Sequence, residues 1–401
     1  MNPSQTSAAV VDLDDTDALL AADRMGLLRG ASMAGAQVRA IASALAEGEL
    51  DAVRSDSTPR TVVWVAGRGN AETAGTMLAA ALGGSVGAPI VVASEAPPWI
   101  GALDVLILAG DDPGDPPLVA AAAMGVRRGA RVVVVAPYEG PLRDATAGRS
   151  VALPPRLHVP DDFTMVRYLA AGLAVLQVIT PGNRVDLEAM ADALDAEAFR
   201  NSAGRELFTN PAKALAERLV GRDVAFAGDS AATMALARHA STIMLRVALK
   251  TVAAVGLADA LVAIGTGWGR GSDGANALSI FHDEEIDGPM PQRTRTIVLT
   301  TDADLPAVTA RLKGFDDVNV VNSNDATDDL EDSATQGDQD VPGSALVPGV
   351  ARPEQQLALL AGQSLQAASL PAPAAAAQTV AAAPAQGTAS APCSDTQPSK
   401  N

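Results

Sequence analysis

Apolar positions follow two different patterns along this chain. Over residues 11–55 they recur at helical spacing. Leu19 and Leu20 follow Thr16, a candidate N-cap, and Val38, Ile41 and Leu45 follow Ser32, a second candidate cap. From residue 60 onward, short unbroken apolar runs take over. Thr61–Ala66 (TVVWVA), Pro89–Ala93 (PIVVA), Asp104–Ala109 (DVLILA) and Arg131–Ala136 (RVVVVA) predict strands buried on both faces. Helices are predicted over 71–82 and 116–127, and a long apolar helix over 164–179. Buried strands alternating with helices build parallel βαβ units in a doubly wound sheet.

Thr180-Pro181-Gly182-Asn183 interrupts the pattern, which then restarts. Helices are expected over 186–195, 211–220, 230–255 and 305–313. Strands are expected over 223–227, 259–265, 277–282, 294–301 and 317–321. The chain therefore reads as an N-terminal helical segment (1–55) and two α/β domains of similar kind (56–182 and 183–322), without a clean sequence repeat. Residues 323–352 form an acidic stretch with Asp325, Asp328, Asp329, Glu331, Asp332, Asp338 and Asp340, expected as a solvated loop. Residues 353–370 suit one more helix. Residues 371–401 are Ala, Pro, Ser, Thr and Gln, expected to be disordered because they cannot build a core.

Composition narrows the functional classes. A formal charge of −18 over 401 residues argues against nucleic acid and against anionic membrane surfaces. No apolar window is long enough to span a bilayer. The single cysteine, Cys393, allows neither an internal disulfide nor a cysteine metal cluster. Met1-Asn2-Pro3-Ser4 does not open a signal peptide, so a cytoplasmic protein is expected.

The first candidate site is Gly67-Arg68-Gly69-Asn70, between strand 61–66 and the next helix. A glycine turn feeding a helix N-terminus presents free N–H groups and the positive end of the helix dipole, which suit phosphate or a sugar hydroxyl. A dinucleotide fingerprint would need a third glycine where this chain has Glu72.

Three stretches carry a family resemblance: VVWVAGRGNAETAG, DVLILAGDDPGDPPLVAAAAMGVRRGARVVVVAP, and Asn210-Pro211-Ala212-Lys213-Ala214-Leu215-Ala216. Over about residues 10–370 the chain resembles the bifunctional phosphoglucose/phosphomannose isomerase branch of the sugar-isomerase (SIS) family. The resemblance implies an α/β fold of two SIS-type three-layer αβα domains with mainly parallel sheets. It implies a phosphorylated sugar or similar anion as ligand, no cofactor, and homodimers as a common arrangement.

The same resemblance marks departures. Where the family has a hydroxyl-rich phosphate loop, this chain has Gly110-Asp111-Asp112-Pro113-Gly114-Asp115, and ionised carboxylates repel a phosphate dianion. Val247 stands in the place of the family's general base, with Lys250 matching its Lys, and Ala260–Gly265 replaces the ring-opening His segment. Arg167 matches an Arg that contacts the sugar, or is an ordinary helix arginine. His282 and Glu284, in Phe281-His282-Asp283-Glu284-Glu285, are the remaining candidates for proton transfer, or belong to a solvated turn. His239 reads as a packing or hydrogen-bonded residue. The expected substrate-binding set is Gly67, Arg68, Gly69, Asn70, Arg167 and Lys250. Three functions stay open: a sugar-phosphate-binding protein with lost or weak catalysis, an active aldose–ketose isomerase with a rebuilt site, and a protein-interaction module.

Overall fold

Side chains alternate across a strand, so a strand that is apolar at every position must bury both faces. In β1 (Thr61–Val65), β3 (Asp104–Ala109) and β4 (Arg131–Val135), one face carries Val62, Trp64, Val105, Ile107, Val133 and Val135. The other carries Val63, Val65, Leu106, Leu108, Val132 and Val134. With β2 (Ile90–Ala93) and β5 (Val151–Ala152) they form a five-stranded, all-parallel sheet of order β2-β1-β3-β4-β5. The computed structural model describes residues 12–55, 57–180, 185–219, 222–266, 268, 294–315, 318–322, 358 and 362.

Helices cover both faces of this sheet. α5 (Pro116–Arg128) and α6 (Gly140–Thr146) supply Leu118, Ala121, Ala122, Val126 and Leu142 to one face. α3 (Ala34–Ala46), α4 (Gly69–Leu82) and α7 (Met165–Ile179) cover the other. The close fit on that side depends on missing Cβ atoms. A Cβ on Gly75 would lie 2.3 Å from Trp64 Cδ1, and one on Gly172 would lie 2.3 Å from Leu78 Cδ1. The Trp64 indole donates to the Ala71 carbonyl at 2.9 Å.

A second parallel sheet repeats the topology. β6 (Val224–Gly228), β7 (Ala253–Gly256), β8 (Arg295–Leu299) and β9 (Val318–Val321) run in the order β7-β6-β8-β9. In both sheets the first strand is flanked by the second on one side and the third on the other. α8 (Leu187–Arg200), α9 (Pro211–Leu219) and α10 (Ala231–Val247) lie toward the first sheet or the sheet edge, and α11 (Leu257–Gly265) and α12 (Leu305–Leu312) lie on the outer face. Val224, Phe226, Ile297 and Leu299 share one continuous core with Trp64, Ile107 and the helices between the sheets. α4 packs on α10 and α3 on α8, so the chain is α/β with two sheets facing a common helical layer.

Several local expectations differ from the structure. The apolar run 259–265 lies in α11, not in a strand, and the strand is Ala253–Gly256 just before it. A short apolar run is compatible with either state, and β7 is a half-exposed edge strand of small residues. The helix expected over 230–255 stops at Val247. Asp15, rather than Thr16, caps α1 (Thr16–Ala22) by accepting from Ala18 N at 2.9 Å. Ser32 ends α2 (Leu27–Ser32), its hydroxyl donating back to Arg29. The strand expected over 277–282 lies outside the described residues, as do the acidic stretch and the tail. Ala358 and Gly362 of the expected 353–370 helix are described; both are helical and buried, and Gly362 lies against Leu194 of α8.

Candidate ligand-binding site

In a doubly wound sheet, ligands bind beyond the carboxyl ends of the strands, where neighbouring connections diverge. Here those points lie between β1 and β3 and between β6 and β8. Each holds a carboxylate already engaged by the protein. Asp229, after β6, accepts from the hydroxyls of Thr233 at 2.7 Å and Thr300 at 2.6 Å. Asp111, after β3, accepts from the Tyr168 hydroxyl and faces Arg167 Nη2 at 3.5 Å. The Arg167 guanidinium stacks on the Tyr168 ring, 4.2 Å from its centroid. Burial pushes the Asp111 carboxyl above its usual range, against the opposing Tyr168 hydrogen bond and the Arg167 charge. Burial also raises the Tyr168 phenol.

Beside the first crevice, Gly67, Arg68 and Gly69 are exposed. Gly69 turns the chain into α4 with φ 67, a left-handed value that costs glycine nothing. The α4 N-terminus has no side-chain cap, and its first turn carries Glu72. Asn70 is buried and donates to the Asp161 carbonyl and to Thr164 Oγ1. It ties the glycine turn to the segment that starts α7.

Where α4 crosses α10, a cleft of about 200 Å³ opens, lined by Gly69, Asn70, Glu72, Thr73 and Thr76 from one side and Ala235, Arg238, His239, Thr242 and Arg246 from the other. Arg246 Nε reaches Asp162 Oδ1 at 2.9 Å, an ion pair between α10 and the segment before α7. His239 is 3 % exposed and its Nε2 has no hydrogen-bond partner among the described residues. Burial, with a further push from Arg246, lowers its pKa to about 4, so the imidazole is neutral at pH 7. The hydroxyls of Thr73, Thr76 and Thr242 donate to carbonyls of their own helices and turn acceptor lone pairs outward. The cleft thus combines two guanidiniums, a neutral imidazole, hydroxyl acceptors and one carboxylate, Glu72.

The expected site residues are only partly brought together. Gly69 and Asn70 line the cleft, and Gly67 and Arg68 precede them in the exposed turn. Arg167 lies behind Asp111, 6 % exposed. Lys250 is elsewhere: its ammonium donates to the Leu219 carbonyl at 2.8 Å and to that of Arg222, holding the end of α9. Val247, expected in the place of the family's general base, is buried in the core. His282 and Glu284 lie outside the described residues. Among the described residues, no group of three or more His, Cys, Asp or Glu is placed to hold a metal ion.

The Asn-Pro-Ala-Lys motif has a structural explanation. Asn210 Oδ1 caps α9 by accepting from Lys213 N at 3.0 Å, with Pro211 at the first helical position. Asn210 Nδ2 donates to the Ser202 carbonyl, and the fully buried Lys213 Nζ donates to the carbonyls of Ala203 at 2.8 Å and Arg205 at 2.6 Å. Four side-chain bonds hold the loop between α8 and α9.

Sequence reasoning missed Arg238, Thr242 and Arg246. A signal was present: Arg238, Thr242 and Arg246 fall four residues apart with His239 beside them, a polar stripe on a mostly apolar helix. Gly69, Thr73 and Thr76 make the facing stripe on α4.

Comparison with solved structures identifies the architecture. A protein from Clostridium difficile 630 assigned as a phosphosugar isomerase superposes with a TM-score of 0.54 at 10% identity, covering 86% of this chain and 92% of that one. A Bacillus subtilis protein with the same assignment gives 0.53 at 16%, covering 86% and 95%. The C-terminal domain of glucosamine-fructose-6-phosphate aminotransferase from Francisella tularensis gives 0.55 at 10%, covering 87% and 96%. This chain shares the double-SIS α/β fold of these proteins. No family model matches it, and no curated protein matches it in sequence. The shared fold accounts for the repeated strand order, and at 10–16% identity the likeness is one of fold. No helix among the described residues is long and apolar enough to cross a membrane.

Proposed function

We propose that this protein binds a phosphorylated sugar, or an anion of similar size, in the α4–α10 cleft and does not isomerise it. The observation that carries the reading is the cleft itself. Arg238 and Arg246 converge there with the uncapped N-terminus of α4 and a buried imidazole whose Nε2 is unpartnered among the described residues. A buried polar atom left without a partner costs about 1–3 kcal/mol, which a ligand hydroxyl at Nε2 would recover. Guanidiniums beside a helix N-terminus suit a phosphate group, and the outward lone pairs of Thr73, Thr76 and Thr242 suit sugar hydroxyls.

The chemistry argues against isomerisation. Moving a proton between adjacent carbons needs a base with a pKa near the working pH. His239, at about 4, is a weak base, Val247 cannot accept a proton, and Glu72, the one carboxylate lining the cleft among the described residues, would have to act without the His of the family's ring-opening segment. Descent from a phosphoglucose/phosphomannose isomerase fits this combination of retained scaffold and replaced side chains. On this reading the protein works in the cytoplasm, and its sheets are the cores of two domains over 56–182 and 183–322.

Thermal-shift titration of the full chain with glucose, mannose and fructose 6-phosphates tests the binding. A saturable rise in Tm with one of them, against no rise with the unphosphorylated sugar, is expected. Absence of a shift with all three overturns the reading. A coupled assay for fructose 6-phosphate formation is expected to show no turnover.

A further inference from the structure

Arg167 is an expensive residue to bury for what it does within the fold. It is 6 % exposed, yet among the described residues its one ion-pair partner is Asp111 at 3.5 Å, and its Nε and Nη1 have no hydrogen-bond partner. A buried guanidinium is tolerated when a well-placed anion satisfies it, and a single long contact does so poorly. In the companion crevice the carboxylate of Asp229, which follows the first strand of its sheet rather than the third, is held by two threonine hydroxyls. Among the described residues, one long contact to Asp111 leaves most of the Arg167 donor capacity unused.

Arg167 and the Tyr168 hydroxyl, adjacent on α7, converge on one point, the Oδ1 atom of Asp111. That point lies beyond the carboxyl end of β3, where this topology places ligands. The two donors are themselves buried, and the Asp111 side chain that bridges them to the surface is 39% exposed. A guanidinium N–H and a phenol O–H aimed at one spot are the donor set for an oxyanion. Facing groups elsewhere adjust the local charge: Asp161 opposes a second anion, and Arg246 favours one.

We propose that Arg167 and Tyr168 form an oxyanion seat, that Asp111 fills it as a built-in counter-anion, and that Asp111 is therefore the residue that keeps phosphate groups out of this crevice. The seat is distinct from the α4–α10 cleft, and its existence does not depend on whether that cleft takes a sugar phosphate. With Asp111 in place, an incoming phosphate meets a like charge. With the carboxylate removed, the same two donors are available to formate, which replaces the lost group, or to inorganic phosphate.

The test compares the wild type with Asp111→Ala in formate and in inorganic phosphate, with chloride at matched ionic strength as control. The variant is expected to gain thermal stability with formate or phosphate, saturably and with at least about tenfold tighter apparent binding than the wild type, because the competing charge has gone. Adding Arg167→Gln to the variant is expected to abolish the gain. If Asp111→Ala does not fold, Asp111→Ser, which keeps an acceptor for the Tyr168 hydroxyl, carries the same comparison. A folded Asp111 variant that responds to the anions no more than the wild type overturns the proposal. So does anion binding that survives loss of the Arg167 guanidinium.

Discussion

Arg246 of α10 reaches Asp162, just ahead of α7, at 2.9 Å, so one side chain both joins the two halves of the molecule and lines the cleft between them. The two roles separate on energetic grounds. The Arg246 side chain is 49% exposed, and a pair this open contributes under about 1 kcal/mol. Arg246→Ala is accordingly expected to shift the urea unfolding midpoint little. The same change removes one of two cations from the proposed phosphate site. Loss of the sugar-phosphate thermal shift, with stability nearly unchanged, is the expected result. A shift that persists at full amplitude would place the ligand elsewhere.

His239 makes stability depend on pH in a direction that can be stated in advance. Its folded pKa of about 4 lies below the ordinary value of 6.5, because burial disfavours the charged imidazole. The unfolded chain then binds a proton that the folded chain refuses. The neutral imidazole's contribution is complete above about pH 6.5 and is lost progressively as pH falls toward 4. A shift of this size corresponds to about 3 kcal/mol. His239→Asn is expected to flatten the stability profile between pH 6.5 and 4 relative to the wild type, read from urea midpoints across that range. An unchanged acid slope would show that the imidazole is solvated in the folded protein.

The Asn210–Lys213 staple is expected to be a stability feature with no part in binding. Lys213→Met removes both bonds to the Ala203 and Arg205 carbonyls, in a part-exposed loop where water can replace them. A loss of about 1–3 kcal/mol follows from the two lost hydrogen bonds. Asn210→Ala removes the α9 cap and is expected to cost about 1–2 kcal/mol. Both are measured by chemical denaturation. Sugar-phosphate affinity of the folded fraction is expected to stay at the wild-type value.

The centre of the first sheet was legible because β1, β3 and β4 are unbroken apolar runs that bury both faces, whereas β2, expected to be buried in the same way, is a half-buried edge strand. The second half was less so. Ala253–Gly256 is a short, half-exposed edge strand of Ala, Val and Gly, whose place is set by pairing with β6 rather than by its own pattern. The candidate site divided in the same way. The glycine turn at Gly67–Asn70 announces itself locally, because only a turn into a helix requires that pattern. Arg238, Thr242 and Arg246 become a site only where α10 crosses α4, a relation between helices about 160 residues apart that no local pattern encodes. Lys250 shows the converse: it matches a family position, yet its ammonium is committed to carbonyls at the end of α9.

The end of α10 carries a strain that one substitution relieves. Leu249 has φ 53, one of two non-glycine residues with positive φ among the described residues, and its side chain is largely in solvent. The chain turns there because Lys250 N donates back to the Met244 carbonyl at 3.0 Å, ending the helix as a left-handed residue usually does. For a residue with a Cβ that conformation costs about 1–2 kcal/mol, whereas glycine adopts it freely. Glycine also gives the unfolded chain more freedom, which offsets about 0.5–1 kcal/mol of the gain. Leu249→Gly is therefore expected to stabilise the protein by up to about 1 kcal/mol. Leu249→Ala, which keeps the Cβ, is expected to change stability little. Denaturant midpoints at constant m-value distinguish the two. A destabilised glycine variant would mean that Leu249 packs against something that its exposure in the single chain does not show.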